Sequence, residues 1–167
     1  MRNNRTRKLA LCAMLSAIAL IFSYVEMLIP ISVGIPGVKL GFANIAVLYA
    51  IYALGDRYGL TVNVVRIALA GLLFGSVFSV LYAFAGGMVS LGAMLLLKRT
   101  KLFSVTGISM VGGVFHNLGQ LIVAALVVKT PQVLVYFPVL IFSGIAAGIV
   151  NGIIARLCLD RMLTSEI

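Results

Sequence analysis

Three hydrogen-bonding side chains, His116, Asn117 and Gln120, lie close together in an otherwise apolar segment of the sequence. In a helix, His116 and Gln120 share one face because they are four residues apart, whereas Asn117 projects about 100 degrees away and is able to reach a neighbouring helix. Side chains of this kind, when removed from water, bind either a ligand or one another. The segment therefore predicts a polar binding pocket or a mutually satisfied cluster.

Arg66 is a charged residue in another apolar stretch, and Asn63 precedes it by three residues, so both would share one helix face. An arginine at the centre of a membrane helix costs roughly 2.5–3.5 kcal/mol on insertion scales, although its side chain is long enough to reach toward a polar interface. Two roles remain open for Arg66: a structural partner of another polar residue, or a ligand for an anionic group.

The segment at 30–39 contains two prolines and two glycines among apolar residues, a composition typical of a loop that covers a site. Groups that contact a ligand are expected to gather beside it. The alternative is an interfacial tyrosine and a surface Glu–Lys pair next to a tight turn. The residues concerned are Tyr24 and Glu26 before the segment, and Lys39, Asn44 and Tyr49 at its end and beyond.

The residue sets needed for covalent chemistry are missing. The sequence has one histidine, no phosphate-cradling Gly-rich loop with a lysine, and no nucleophile beside a base. Neither cysteine, Cys12 or Cys158, has metal-ligand spacing. We therefore expect no catalytic activity of its own, no metal and no cofactor. The four acidic residues, too scattered for a magnesium–diphosphate site, are Glu26, Asp56, Asp160 and Glu166.

The composition excludes a soluble enzyme. Of 167 residues, 62% are hydrophobic and only 10% charged, against roughly 45–50% and 25% in an ordinary globular domain. The net charge of +9 does not indicate nucleic-acid binding, because the basic residues form short clusters between apolar runs rather than one face. The lipid bilayer is the expected surrounding of the chain.

The apolar runs predict one all-α membrane domain of about six transmembrane helices, since a bilayer core is crossed by roughly 20 apolar residues. The join between the third and fourth spans, from Val80 to Met88, carries no charge, so a broken segment is an alternative there. Gly86–Ser90 is expected to form a turn in this region. The predicted spans are Leu9–Ile29, Leu40–Leu54, Gly59–Val80, Tyr82–Leu97, Val105–Val128 and Val133–Leu159.

The distribution of basic residues predicts that both termini lie in the cytoplasm, with the protein in the plasma membrane. Cytoplasmic loops carry the excess of lysine and arginine, and an even number of helices returns the chain to its starting side. Only Lys39 and Lys129 fall on the opposite side. The ten on the cytoplasmic side are Arg2, Arg5, Arg7, Lys8, Arg57, Lys98, Arg99, Lys101, Arg156 and Arg161.

Small residues recur every four positions in three of the predicted helices. Such stripes allow helix backbones to approach closely. Packing within one bundle is the favoured interpretation, and docking of another membrane subunit is the alternative. The stripes consist of Ala13 and Ala17, of Gly71 and Gly75, and of Gly144, Gly148 and Gly152.

Four of these features together resemble one family over nearly the whole chain. They are Ala13-x-x-x-Ala17, Val38-Lys-Leu-Gly-Phe-Ala-Asn-Ile45, Gly71-Leu-Leu-Phe-Gly75 and Phe115-His-Asn-Leu-Gly-Gln120. The pattern resembles the family labelled heptaprenyl diphosphate synthase component I, also called the Gx transporter family. That family is similar to the substrate-binding S components of energy-coupling factor transporters, which are six-helix membrane proteins with cytoplasmic ends.

The resemblance implies a vitamin-like, cofactor-like or precursor-like ligand bound near the outer face, beneath the first loop. It also implies that the first helix meets a transmembrane coupling subunit served by two ATPases, with Ala13 and Ala17 at that interface. A synthase activity is not implied by the residues, because Asp-rich magnesium motifs are absent.

Three functions follow as hypotheses. The leading one is a membrane transport subunit that binds a small organic solute at His116, Asn117 and Gln120 and at the residues around the first loop and Arg66. The second is a non-catalytic accessory protein in polyprenyl diphosphate or quinone metabolism. The third is a purely structural partner in an electron-transfer or flavin-handling membrane complex.

Overall fold

The computed structural model describes residues 2–28, 41–75, 77–129 and 131–164. Within these ranges the chain is helical and contains no strand, which confirms the all-α prediction. The elements are α1 (Arg2–Leu28), α2 (Ala43–Ala53), α3 (Asp56–Phe74), α4 (Val77–Thr100), α5 (Val105–Val128), a 3₁₀ turn (Pro131–Tyr136) and α6 (Phe137–Thr164).

Five of the six helices, α1 and α3 to α6, are long and apolar enough to cross a bilayer. Large apolar side chains face outward on them, for example Leu72 at 83% exposure and Leu126 at 71%. An outer surface of this kind is suited to hydrocarbon and not to water. The chain is therefore a helical membrane protein, and α2, with 11 residues, is its one short apolar helix among the described residues.

The break between the third and fourth helices differs from the prediction. α3 ends at Phe74 instead of Val80, and α4 begins at Val77 instead of Tyr82. Gly75 leaves the helical conformation with φ −93° and ψ 156°. Hydropathy could not locate this break because the sequence around it is apolar and uncharged.

The turn expected at Gly86–Ser90 is also wrong, because these residues lie inside α4. Their glycines serve helix contacts instead of a turn. A side chain on Gly86 would meet α5, and one on Gly87 would meet α3. The two glycines thus allow α4 to pack closely against helices on both sides.

The short helix α2 forms the centre of the bundle. Val47, Leu48 and Ile51 are each 1% exposed, and apolar residues cover every face of α2. A helix that is apolar all round is stable only when surrounded. The surrounding is provided by α1, α3 and α6, while α4 bridges α3 to α5 and α5 packs on α6.

A basic side chain fixes the α2 end that meets α3. Lys98 Nζ donates to the Ile51 carbonyl oxygen at 2.8 Å and to Asp56 Oδ1 at 2.5 Å, and it lies 5.4 Å from the centre of the Tyr52 ring. Gly55 makes the sharp turn between the two helices at φ 113°. The last turn of α2 and the first turn of α3 are thereby held against the end of α4.

The glycine stripe of α6 packs within the bundle, which confirms the favoured interpretation for this stripe. A Cβ atom on Gly148 would lie 2.5 Å from the Met110 Cα of α5, and one on Gly152 would lie 2.6 Å from the Thr106 Cα. Gly144 faces Gly113 in the same interface. By contrast, Ala13 and Ala17 of α1 are exposed.

Replacing Gly148 by alanine is expected to lower the free energy of unfolding by about 1–3 kcal/mol, because two helix backbones must separate to admit the methyl group. Gly92→Ala is the matched control: nothing lies within 4 Å of its added Cβ atom, and alanine favours the helix by about 0.5–1 kcal/mol. Denaturant titrations in detergent micelles measure both. Equal stability of the two variants would contradict the close α5–α6 packing.

Candidate functional site

The amino end of α2 lies part-way along the bundle and not at its surface. α2 rises about 16 Å and α3 about 28 Å, at 1.5 Å per residue. The carboxyl end of α2 and the amino end of α3 are held together beside Lys98. The amino end of α2 therefore lies near the middle of α3. Asn44 and Arg66 lie at equal sequence distances from Gly55 and so reach the same level. The interior polar residues gather at this level.

Arg66 of α3 is surrounded by side-chain amides. Its Nε and Nη2 donate to Asn63 Oδ1 at 3.3 and 3.0 Å, and Nη2 also donates to Asn44 Oδ1 at 3.2 Å. Asn63 Nδ2 in turn donates to the Gly87 carbonyl oxygen at 3.0 Å. Arg66 is 7% exposed and Asn63 1%. The predicted shared face of Asn63 and Arg66 is confirmed, with α2 and α4 as additional partners.

Glu26 brings the end of α1 to the same place. Its Oε1 accepts a hydrogen bond from the Phe42 backbone N–H at 2.9 Å, at the start of α2. It also interacts electrostatically with the Arg66 guanidinium. Helix amino ends carry a partial positive charge, which a carboxylate stabilises. We call Glu26, Asn44, Asn63 and Arg66 the arginine cluster.

Asn151 of α6 completes this level and was missed by the sequence analysis. Its Nδ2 donates to the Gly41 carbonyl oxygen at 3.0 Å, just before α2. A Cβ atom on Gly41 would lie 3.3 Å from Asn44 Nδ2 and 3.7 Å from Asn151 Nδ2. An asparagine inside the apolar sixth span could have indicated this contact. It lies between Gly148 and Gly152, and this part of the helix was interpreted as a packing surface.

His116 and Gln120 of α5 lie on the other side of α4. A Cβ atom on Gly86 would lie 3.1 Å from His116 Cε1 and 2.9 Å from Gln120 Cγ, so both residues face that glycine as their spacing predicted. The neighbouring Gly87 faces Asn63. Two consecutive glycines of α4 therefore separate this pair from the arginine cluster.

Gln120 has a buried acceptor for which the described part of the chain provides no donor. The side chain is 7% exposed, and its Oε1 accepts no hydrogen bond from any residue that the structure describes. Most buried polar atoms in proteins have a partner, and leaving one without costs about 1–3 kcal/mol. A donor on a bound molecule would remove that cost.

Asn117 points toward α6, which confirms the expectation that it reaches a neighbouring helix. Its Nδ2 donates to the Leu140 carbonyl oxygen at 2.8 Å and to Ser143 Oγ at 3.2 Å. These bonds join α5 to α6 on a different face from His116 and Gln120. Asn117 therefore makes a helix-packing contact. It does not join His116 and Gln120, the two residues with which it was predicted to form a pocket.

The residues around the first loop do not all meet. Glu26 and Asn44 join the arginine cluster, but Tyr24 is 44% exposed and stacks at an angle on Phe74, with 5.4 Å between ring centres. Tyr49 contacts the last turns of α6 instead, where its hydroxyl donates to the Met162 sulfur at 2.6 Å. Lys39 and the lid-like segment at 30–39 lie outside the described residues.

Among the described residues, the combined arrangement offers the positive charge of Arg66, several amide groups and the Gln120 acceptor in an apolar surrounding. Arg66 has two further N–H donors on Nη1, beyond the nitrogens used in the bonds above. Across the described ranges, no three His, Cys, Asp or Glu side chains come together as metal ligands would. The chemistry available is recognition of a polar or anionic group.

A family model described as heptaprenyl diphosphate synthase component I matches residues 15–158. This range includes the arginine cluster, the His116–Gln120 pair and all of α2 to α5. Neither a curated protein nor a solved structure matches the chain.

Asn63→Leu is expected to lower the free energy of unfolding by about 2 kcal/mol or more, because Arg66 keeps its charge but loses two of its three hydrogen bonds. Arg66→Met added to Asn63→Leu is expected to restore part of that loss, since the guanidinium that lost its hydrogen bonds is then absent, while Glu26 keeps its bond to the Phe42 N–H. Denaturant titrations of both single variants and the double variant give the coupling energy.

Thr61→Ala on the exposed side of α3 serves as the control, with a change within about 0.5 kcal/mol. Additive losses in the Asn63 and Arg66 variants would show that the two residues are energetically independent, contrary to the geometry.

Proposed function

The chain belongs to the heptaprenyl diphosphate synthase component I family, and from this premise we propose that it is a membrane-embedded subunit that binds a small organic ligand inside its helix bundle. The description of the family as a component implies a partner subunit. The observation that carries the proposal is the layer of buried polar groups at the amino end of α2, part-way across the bundle.

The cost of that layer supports a binding role. Polar and charged side chains are expensive inside a membrane protein, and ionisable ones in that position are candidates for a ligand or ion site. In transporters, helices that begin near the midplane direct their positive amino ends at anionic substrate groups. The amino end of α2 lies part-way across the bundle, which supports a comparable role, and Arg66 adds a full charge beside it.

Transport of a solute is the function that this arrangement fits best. The ligand would be vitamin-like, cofactor-like or precursor-like, as for S components of energy-coupling factor transporters, and the segment at 30–39 would cover it from outside. The chain has no motif for ATP hydrolysis, so the energy would come from partners. The exposed Ala13 and Ala17 of α1 suit docking of a transmembrane coupling subunit with its ATPases.

We also propose that both termini lie in the cytoplasm and that the protein resides in the plasma membrane. The support is the excess of lysine and arginine at the ends shared by the termini, the α2–α3 turn and the α4–α5 connection. With this orientation the arginine cluster lies nearer the outer side than Lys98 does.

Gln120→Leu is expected to separate binding from folding. The substitution removes a buried acceptor that no described residue satisfies, so the free energy of unfolding stays equal or rises, whereas ligand retention falls about tenfold or more. Native mass spectrometry of gently purified protein measures the bound molecule. Asn117→Leu is the matched comparison on the same helix, and it loses stability because the Leu140 carbonyl oxygen and Ser143 Oγ each lose one hydrogen bond.

Two results would count against a solute-binding subunit. One is a wild-type protein that repeatedly carries no small molecule and no coupling partner through purification. The other is a Gln120→Leu variant that unfolds more easily than wild type while its bound molecule is unchanged.

The description of the family favours a second function: a non-catalytic accessory subunit for a polyprenyl diphosphate synthase. A ligand with a diphosphate and a long isoprenoid tail would place its charged group at the arginine cluster and its tail along apolar helix faces. The four acidic residues do not form an Asp-rich magnesium motif in the sequence, so catalysis would belong to the partner.

Reconstitution tests this second function. When the chain in lipid vesicles is added to a soluble prenyl synthase, the rate or the product length is expected to change, and Arg66→Met is expected to abolish the change. Product chains are measured by chromatography after removal of the diphosphate. Identical rates and product lengths with and without the chain would exclude the accessory role.

A further inference from the structure

We propose that the Glu26 carboxylate is an internal substitute for an acidic group of the ligand, so that Arg66 and the amino end of α2 form an anion subsite. The inference rests on the proposed ligand-binding function and adds the chemical class of the ligand: a molecule with a carboxylate, phosphate or diphosphate group. It also gives Glu26 a role as a competitor for the subsite.

The first observation is the contact of Glu26 with α2. Phe42 is the residue before the first turn of α2, and its side chain makes no capping bond. Its backbone N–H instead donates to Glu26 Oε1 at 2.9 Å, from a residue of a different helix. A carboxylate at this place shows that the amino end of α2 accepts an anionic oxygen in the interior of the bundle.

The second observation is the charge balance around Arg66. Its hydrogen-bond acceptors, Asn44 Oδ1 and Asn63 Oδ1, are neutral amide oxygens and cannot cancel its charge. Glu26 is the acidic residue that interacts with the guanidinium electrostatically. Within the layer that the structure describes, the negative charge is therefore held by one side chain, two residues before the end of α1.

Exchange of one anion for another follows from these two observations. Leaving a buried charge without a partner is strongly unfavourable, whereas replacing one partner by another of equal charge is not. A ligand with an acidic group is able to displace the Glu26 carboxylate and leave Arg66 balanced. A neutral ligand is not, since displacement would leave the guanidinium uncompensated.

The exchange also has a consequence for α1. Glu26 lies near the end of α1, and its bond to Phe42 is a direct tie between α1 and the start of α2. Displacement of the carboxylate removes this tie. α1 also carries the exposed Ala13 and Ala17, so binding of an acidic ligand would alter the mobility of the helix that presents this face.

The experiment uses the full chain in nanodiscs of neutral phosphatidylcholine, with inorganic diphosphate as the probe and calorimetry as the readout. Glu26→Gln removes the competing charge but keeps an oxygen acceptor for the Phe42 N–H. It is expected to bind diphosphate about tenfold more tightly than wild type, a change of about 1.4 kcal/mol. The double variant Glu26→Gln with Arg66→Gln is expected to lose this gain.

Two further variants keep the test decisive. Asp160→Asn removes an exposed acidic group near the end of α6 and is expected to bind like wild type, which controls for net charge. If Glu26→Gln unfolds, Glu26→Asp replaces it: this variant keeps the charge but withdraws it by one methylene group, and a gain of about threefold is expected.

A second arm identifies the source of the anion. Nanodiscs with anionic phosphatidylglycerol and no diphosphate test whether a lipid headgroup fills the subsite, in which case Glu26→Gln gains thermal stability over wild type in anionic lipid only. A gain in either arm supports the subsite and names its source. Equal behaviour of Glu26→Gln and wild type in both arms overturns it, as does a gain that persists without Arg66.

Failure of this inference is distinguishable from failure of the proposed function. If wild-type protein retains a small molecule but Glu26→Gln changes nothing, the ligand binds without an acidic group at Arg66. If no small molecule is retained but Glu26→Gln gains diphosphate affinity, the anion subsite stands and the solute-binding function is wrong.

Discussion

The rest of the structure depends on one constraint: a guanidinium inside an apolar bundle needs a negative charge and hydrogen-bond acceptors beside it. Arg66 meets this constraint through amide oxygens of Asn44 and Asn63 and through the carboxylate of Glu26. These partners come from three helices, so the arrangement joins α1, α2 and α3 at one level. Polar groups in such an interior are stable only when paired, and this cluster therefore determines how the three helices meet.

The depth of the cluster follows from the length of α2. Because Lys98 holds the α2–α3 turn at one end of the bundle, an 11-residue helix can only reach part-way across it. Its amino end then lies inside, where Glu26 and Asn151 bond to the backbone that precedes it. A longer α2 would carry that end to the surface and leave Arg66 without Asn44. The glycines of α4 and α6 also favour these contacts, since they bring the helices close enough for short amide side chains to reach a neighbouring helix.

Periodicity predicted which polar residues share a helix face but not which helices they meet. The Asn63–Arg66 pair, the His116–Gln120 face and the divergent direction of Asn117 all follow from 3.6 residues per turn. The contacts of Arg66 with Asn44 and of Asn151 with Gly41 depend on tertiary packing, which no local spacing encodes. The break at Gly75 was missed because hydropathy is continuous across it, and Gly86–Gly87 was misassigned because glycine pairs occur in turns and in close helix contacts alike. Lys39 and the 30–39 segment stay a prediction.

The two functional candidates make the same demand on the interior, because an acidic solute and a diphosphate-bearing isoprenoid both present one charged group and an apolar remainder. The arginine cluster would bind the charged group in either case, with Glu26 as the competitor.

What separates the candidates is the path and the fate of the apolar part of the ligand. In the transport proposal, a solute would enter from water on the outer side and leave on the other side when partners supply energy. A long isoprenoid enters from the bilayer between helices, and its tail stays in contact with lipid. The Gln120 acceptor, which no described residue satisfies, lies on the far side of Gly86–Gly87 from Arg66 and favours a compact ligand with a second polar group over a simple hydrocarbon tail. The geometry thus places more weight on a solute than on a polyprenyl chain.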